Sequence, residues 1–213
     1  MAIGIIRATA MRIELPEGEL RYEIRRAGTL IAVEEESFSA GTIRGARRDA
    51  GGSNLFEAEA ELDEAGAVRR IAVRYRRGPF VRKASYESTG DFIRGNVSAG
   101  AGSNVVTAKL GRYREVDAGL AIFRALTIAH IRARGQTRWT GRVAAIDPAT
   151  LVASTIKHSC RLAAPGGRIW IYEPRMGDRE EIEIDSAGRI VRIRDSRGTE
   201  TIPIAPEIGS AGR

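Results

Sequence analysis

Two histidines and a single cysteine are the side chains of this sequence best suited to chemistry. His158 and Cys160 alternate with charged or polar residues in the run Ile156–Leu162, so both point to the inward face of a predicted strand. There they could act as a base and a nucleophile. Residues two apart on a strand are about 6.5–7 Å apart, too far for an unaided hydrogen bond. A buried structural pair is the favoured alternative, and His130 is expected to cap or pack a helix.

An inward carboxylate beside His158 would complete an acid–base site. The glutamates Glu34–Glu36 lie in one predicted strand, whose alternation puts the middle residue, Glu35, on one face and its two neighbours on the other. One of these faces must turn inward or meet the rim of the sheet. With Glu35 as the candidate, the catalytic residues would be His158, Glu35 and Cys160. The chemistry would be that of a cofactor-independent cyclase, isomerase or hydrolase.

Other classes of site lack the residues they require. One cysteine excludes an intramolecular disulfide and a cysteine-rich metal site, and two histidines leave little material for a histidine-rich one. The sequence contains no phosphate-binding loop, nucleophile elbow or zinc-protease motif. It therefore predicts no cofactor and no metal, and it favours a binding protein over an enzyme.

Short strands must position these side chains. Apolar and charged residues alternate with period two in runs separated by turn signals every eight to twelve residues or so. This succession of hairpins predicts a mainly β fold, an antiparallel meander that forms a barrel or a curved half-barrel. The clearest runs are Leu20–Arg26, Phe56–Leu62, Arg70–Arg76 and Ile190–Arg194.

One segment has helical rather than alternating spacing. Apolar residues between Leu120 and Ile131 recur every three or four positions, which predicts a single helix over about 118–134. Asp117 is the expected N-cap and Gly135 the expected stop. A lone helix between two runs of strands would cover the sheet or plug the barrel.

The two strand runs resemble each other. Thr29–Ala32 recurs as Thr150–Ala153, and Glu61–Gly66 recurs as Glu183–Gly188, in the same order. An internal duplication explains both matches, although Asp-x-Ala-Gly is also a common hairpin turn. The domain organisation is therefore predicted as one domain, 1–213, with pseudo-repeats 20–115 and 136–204 joined by the helix.

The net charge of +7 suggests an anionic partner only where the basic residues are not neutralised by neighbours. Glutamates of Phe56–Leu62 should face the arginines of the following strand as cross-strand pairs. The surplus falls in Arg44–Arg48, Arg74–Lys83 and Arg132–Arg142. A protein whose surface binds an anionic partner, either nucleic acid or lipid head groups, is thus a third hypothesis. Nucleic acid is disfavoured because exposed aromatic residues are not interleaved with these basic ones.

The aromatic residues suggest a ligand cavity. The strand 168–172 is apolar on both faces, so one face meets the core and the other meets the helix, an apolar ligand or a partner subunit in a homodimer. A cavity inside the barrel would be mostly apolar with a few polar anchors, and a well-packed core is the alternative. The predicted ligand-binding residues are Trp139, Trp170, Tyr172, Tyr75 and His158.

The segments Val143–Leu151 (Val-x-x-Ile-Asp-Pro-x-Thr-Leu) and Glu183–Val191 (Glu-Ile-Asp-x-x-Gly-Arg-Ile-Val), with the meander and central helix, resemble bacterial glycolipid-binding proteins and lipoprotein-carrier-like half-barrels over about 20–204. The resemblance implies a curved sheet that cups an acyl chain or a similar amphiphile without catalysis. The apolar run Ala2–Ile6 is too short for a signal-peptide core, and no later run could span a membrane. We therefore expect a cytoplasmic protein that binds an apolar or amphiphilic small molecule.

Overall fold

Fifteen strands and one helix make up the fold, taken from a computed structural model that describes residues 13, 15–111, 114–174 and 178–204. The elements are β1 (Gly18–Arg26), β2 (Thr29–Ser39), β3 (Thr42–Asp49), β4 (Asn54–Leu62), β5 (Val68–Arg77), β6 (Phe80–Thr89), β7 (Phe92–Ala99), β8 (Gly102–Lys109), β9 (Val116–Asp117), α1 (Ala121–Ala133), β10 (Arg138–Ile146), β11 (Ala153–Leu162), β12 (Ile169–Pro174), β13 (Glu180–Ile184), β14 (Ile190–Asp195) and β15 (Thr199–Pro203).

All fifteen strands belong to one sheet. Its order runs from β8 back to β1, then from β15 back to β9. Neighbouring strands are antiparallel except for the short parallel pair β9 and β10. The pairing of β1 with β15 joins the first and last strands, so two meanders become one sheet. The predicted mainly β meander is confirmed.

The sheet curves without closing into a complete barrel. The backbone N–H of Lys109 in β8 donates to Oγ1 of Thr155 in β11 at 2.7 Å, although β8 and β11 are not paired as neighbouring strands. The side chain of Tyr86 in β6 likewise reaches the β10–β11 turn, where its hydroxyl donates to the carbonyl of Leu151 at 2.6 Å. The two halves therefore face each other across the core, which is the expected curved half-barrel.

Helix α1 lies inside this curve. Nine of its thirteen residues are buried, on nearly every side of the helix. Leu120, at its start, packs against β3 so closely that a Cβ added to Gly45 would lie 2.5 Å from Leu120 Cδ1. A larger residue at position 45 would require the Leu120 side chain to move. The helix plugs the half-barrel, and side chains fill the space between helix and sheet.

The two ends of α1 differ in how well the sequence anticipates them. Gly135 adopts a left-handed conformation (φ 63°) and donates its N–H to the Arg132 carbonyl, as predicted for the stop. The prediction of Asp117 as N-cap is wrong, because the N-cap is Leu120 and Asp117 lies in β9. The first helical N–H groups bond instead to the carboxylates of two glutamates in β2.

The matched segments occupy corresponding places in the two meanders: Thr29–Ala32 begins β2, Thr150–Ala153 leads into β11, and each Asp-x-Ala-Gly turn follows the strand two places later. The Gly198 turn repeats the same hydrogen bonds around Asp195 within the second half alone. The duplication therefore stays a prediction. Within the described part of the chain, no helix is long and apolar enough to cross a membrane.

Candidate functional site

A groove of about 1460 Å³ lies on the face of β1–β8 that points away from the helix. Residues from all eight strands line it, and the loop before β14 and the end of β15 contribute to one end. We call this volume the charged groove.

Small side chains form the floor of the charged groove. Ala72 in the middle of β5 pairs with Ser85 of β6, and Ala46 of β3 lies two strands away. Ala72 and Ser85 are exposed to solvent and Ala46 is half-buried. Alanine and serine side chains extend only a short way from the sheet. The longer side chains on either side of them extend further and form the walls of the groove. The floor can therefore accept a chain laid across the strands.

Ion pairs organise most of the walls. Arg21 pairs with Glu35 at 3.4 Å, and Arg44 pairs with Glu59 at 3.0 Å. All four side chains are more than half exposed, so each pair is worth only about 0–1 kcal/mol. Six basic and six acidic residues line the groove. Because the acidic and basic residues are equal in number and several of them form ion pairs, any preference for a charged ligand depends on local imbalance.

Lys83 is the point of local imbalance. It faces Arg74 across β5 and β6 and faces Ser98 across β6 and β7. Arg74 has Glu57 at 3.7 Å, whereas Lys83 forms no ion pair within the described residues. Ser85 and Asn96, one row along, add neutral polar groups. An ammonium, a guanidinium and several hydrogen-bonding groups converge here, which suits an anionic group of a ligand.

The residues predicted to line a cavity lie elsewhere. Trp139, Trp170, Tyr172 and His158 are all on the core face and are at most 8% exposed. They pack among the buried residues around α1, and none of them lines the charged groove. They are thus buried on the face opposite the charged groove, and their contact with a ligand stays a prediction. Tyr75 is half-buried, and its hydroxyl donates to Oδ1 of Asn54 at 3.1 Å.

His158 belongs to a buried chain of polar groups. Its Nδ1 is hydrogen-bonded to the Tyr172 hydroxyl, which donates to Oδ2 of Asp117 at 3.2 Å. Since that hydroxyl proton goes to Asp117, His158 must donate from Nδ1. Asp117 in turn forms an ion pair with Arg124, whose Nε lies 3.2 Å from Oε2 of Glu180. We call these five residues the interior network; it links β9, α1, β11, β12 and β13.

The interior network is poorly suited to catalysis. Burial lowers the pKa of His158, Asp117 raises it and Arg124 lowers it, with a net lowering that favours neutral imidazole. Nε2 of His158 has no hydrogen-bond partner among the described residues, yet it is buried in the core rather than aimed into the groove. Burial also raises the pKa of Cys160 to about 12, so its thiol stays protonated.

The candidate Glu35 lies on the other face from His158. Its carboxylate is in the charged groove, paired with Arg21, and the acid–base pair with His158 is not formed. The alternation placed Glu34 and Glu36 opposite Glu35 correctly, and these two are the inward residues, 0% and 4% exposed. Glu35 was the wrong choice because the charge of a strand residue does not reveal which face of the sheet the helix covers.

Glu34 and Glu36 hold the N-terminus of α1. Oε1 of Glu34 accepts the N–H of Ala121 at 2.6 Å, and Oε1 of Glu36 accepts the N–H of Ile122 at 2.6 Å. Arg47 donates from Nε to Glu34 at 2.6 Å and from its terminal nitrogen to the carbonyl of Gly119. Carboxylates satisfy the free N–H groups of a helix start and favour its positive end.

The two glutamates ionise differently. Burial alone would raise the pKa of Glu34, but Arg47, Glu36 and the Ala121 N–H lower it below its ordinary value. Burial and the negative charge of Glu34 raise the pKa of Glu36 well above its ordinary value. Of the two, Glu34 is therefore the more readily ionised, and Glu36 is the one that holds its proton.

His130 is also structural: Nε2 donates to the Gly66 carbonyl at 3.0 Å, and burial lowers its pKa to about 4. In the described part of the chain no three His, Cys, Asp or Glu side chains are grouped so that they could hold a metal ion.

No protein-family model and no curated protein matches this sequence. Solved structures with a similar fold include the following two. One is a DUF1089 family protein from Pseudomonas aeruginosa, with 15% identity, a TM-score of 0.58, and coverage of 84% of this chain and 95% of that one. The other is a β-barrel-like protein of domain of unknown function DUF1849 from Brucella abortus, with 9% identity, a TM-score of 0.56, and coverage of 87% and 95%. At these identities the likeness shows a β-barrel-like fold.

The charged groove was missed at the sequence level. Its signal is the presence of small residues, Ala46, Ala72 and Ser85, at positions where the same face otherwise carries arginine and glutamate. In a sequence, small residues on a solvent-facing row cannot be distinguished from ordinary surface residues. They become informative only when the longer charged side chains on either side of them are seen in the structure.

Proposed function

We propose that this protein is a non-enzymatic binding protein that holds an amphiphilic ligand in the charged groove. The observation that carries the proposal is the groove itself: about 1460 Å³ of open volume with a floor of small residues across the strands. Pockets for small molecules are typically about 300–1,000 Å³, so the groove has room for a long ligand.

The chemistry of the lining supports an amphiphile with an anionic head. Lys83 and Arg74 lie at one part of the groove beside Ser98, and they would meet the head group. An aliphatic chain would lie over Ala72 and Ala46, flanked by the methylene stems of the arginines. The ion-paired glutamates would disfavour binding of an anionic head group elsewhere in the charged groove.

A binding role also agrees better with the groove than catalysis does. His158 and Cys160 are on the opposite face of the sheet, and the carboxylates Glu57 and Glu59 of the groove are paired with arginines. The enzyme hypothesis required an imidazole and a carboxylate in one wet pocket, and the described residues do not place them there.

The groove can be tested with a dansyl-labelled undecanoic acid, whose fluorescence rises on transfer to an apolar site. We expect saturable binding that is weakened at least about tenfold by the double variant Ala72→Trp/Ser85→Trp, because the two indoles occupy the floor. Ser154→Trp is the matched control, since Ser154 is an exposed strand residue of β11 outside the groove. The far-ultraviolet circular dichroism of all three proteins should be the same.

The head-group contact needs its own variant pair. Lys83→Gln should weaken binding of the same probe by about fivefold to tenfold, because a charge-assisted hydrogen bond is lost. Lys157→Gln removes the same charge from an exposed position of β11 and should leave the affinity unchanged. Absence of saturable binding, or affinity that neither the tryptophans nor Lys83→Gln alters, would overturn the proposal.

A further inference from the structure

Four arginines lie together at one end of the sheet. Arg76 and Arg77 end β5, Arg82 lies near the start of β6, and Arg48 lies near the end of β3. None of the four forms an ion pair with another described residue, whereas Arg69, Arg70 and Arg74 of the same β5 strand are each paired with a glutamate. The excess positive charge of β3–β6 is therefore concentrated at this end.

An exposed aromatic ring projects from the same place. Phe80 follows the Gly78–Pro79 turn, pairs with Arg77, and is 76% exposed, the most exposed large apolar residue described. Behind it, one row across the strands reads Arg48, Leu55, Arg76 and Val81, so basic and apolar side chains alternate. We call Phe80, Arg48, Arg76, Arg77 and Arg82 the basic tip.

The carboxylates nearest the basic tip already have partners. Asp49 accepts hydrogen bonds from the Ser53 hydroxyl and the Asn54 backbone and amide within its own turn. Asp147 accepts from Thr150 and Ala149, and the charge of Arg82 contributes to lowering its pKa. Arg82 also donates to the Ala149 carbonyl at 2.7 Å, which ties the tip to the β10–β11 turn.

We propose that the basic tip docks the protein on an anionic membrane surface. Guanidinium groups bind the phosphate oxygens of lipid head groups in a bidentate manner, and clustered basic residues are attracted to an anionic leaflet. Phe80 would enter the boundary between head groups and acyl chains. A single aromatic ring at a hairpin tip fits this better than single-stranded nucleic acid, which is bound by a series of aromatic faces along a groove.

The proposal is independent of the charged groove, although the two surfaces adjoin. Arg74 and Lys83 of the groove are two residues from Arg76 and Val81 of the tip row on the same strands. A ligand leaving the groove at this end would therefore meet the membrane surface. Docking does not require that the groove be occupied.

Co-sedimentation with vesicles tests the docking surface. The probes are phosphatidylcholine vesicles with and without about 30 mol% phosphatidylglycerol, at salt concentrations of about 0.1 M and about 0.5 M. We expect binding only to the anionic vesicles, with strong weakening at the higher salt. Arg76→Gln/Arg77→Gln should weaken binding about 30-fold, and Phe80→Ser about tenfold.

Matched controls separate this surface from net charge and general hydrophobicity. Phe92→Ser replaces an exposed phenylalanine at the start of β7. Phe92 pairs with Thr89 at the end of β6 that is opposite to Phe80. Arg138→Gln/Arg161→Gln removes two facing basic residues of β10 and β11, which also form no ion pair among the described residues. Both controls should bind anionic vesicles as the parent protein does.

Several results would overturn the proposal: equal binding to neutral vesicles, unchanged binding of the tip variants, or an equal loss in the Arg138/Arg161 control. Binding to a DNA oligonucleotide with no binding to vesicles would do the same and would assign the tip to nucleic acid. The tip variants should still bind the dansyl probe, and Ala72→Trp/Ser85→Trp should still bind vesicles, so failure of one proposal is distinguishable from failure of the other.

Discussion

Replacing Arg124 by methionine should lower the free energy of unfolding by about 4 kcal/mol, because it removes the cation shared by two buried carboxylates. The Arg124 side chain is only 13% exposed and lies between the carboxylates of Asp117 and Glu180. Methionine keeps most of the volume but leaves these carboxylates facing each other without a positive charge. Removing one partner of a buried ion pair typically costs about 3–5 kcal/mol because the other charge is left uncompensated.

Arg179→Met is the matched control for this prediction. Arg179 also contacts two carboxylates, Glu181 at 3.3 Å and Glu173 at 3.9 Å, but its side chain is half exposed. Water solvates these groups when the arginine is removed, so the expected change is about 0–1 kcal/mol. Urea unfolding followed by tryptophan fluorescence measures both variants. Equal effects of the two substitutions would show that the interior network does not behave as a buried one.

Glu34→Gln should lower the free energy of unfolding by about 3 kcal/mol near pH 7. Glu34 is fully buried and accepts hydrogen bonds from Arg47 and from the N–H of Ala121. The amide still offers one oxygen, but it removes the negative charge that faces the guanidinium and the positive end of the helix. Because Arg47 remains partly exposed, the loss is smaller than for Arg124→Met.

Glu36→Gln, on the same face of β2, is the control. Since burial and Glu34 raise the pKa of Glu36, it is the member of the pair that holds its proton, and glutamine keeps the acceptor for the Ile122 N–H. We expect a change within about 1 kcal/mol near pH 7. A loss as large as that of Glu34→Gln would contradict the assignment of the anion to Glu34.

The two glutamates should also give opposite dependences on pH. A carboxyl whose pKa is raised by folding makes its full contribution to the free energy of unfolding at pH values below its unfolded pKa of about 4.3. This contribution is lost as the pH rises through the folded pKa. Glu36→Gln should therefore flatten the decline in stability toward alkaline pH. Glu34 has a lowered pKa, so its contribution is present above about pH 4.3 and is lost at lower pH. The deficit of Glu34→Gln should therefore shrink as the solution is acidified.

Alternation and turn residues were sufficient to predict the architecture. The runs around Leu20–Arg26 and Phe56–Leu62 correspond closely to β1 and β4, and the predicted helix over 118–134 contains Ala121–Ala133. Period two and period 3.6 are local properties, so they are visible in one sequence. The face each strand turns to the core was also largely right, since His158, Cys160 and Trp139 are all buried as expected.

The site could not be predicted because it depends on the curvature of the sheet. A core-facing row and a groove-facing row have the same period, and only the position of α1 decides that Glu34 is buried while Glu35 meets solvent. The N-cap failed for a related reason. Asp117 has the right type and spacing, but Glu34 and Glu36, more than eighty residues away, satisfy the helix start.

The location of a bound acyl chain decides whether the charged groove is the ligand site. A fatty acid with a diazirine at the chain end, irradiated when bound and mapped by peptide mass spectrometry, should label the groove face of the first meander, around Ala46, Ala72 and Ser85. Labelling of β10–β12 around Trp139 and Trp170 would place the ligand in the interior and contradict binding in the charged groove. Binding that gives no label in β2–β7 would contradict it as well.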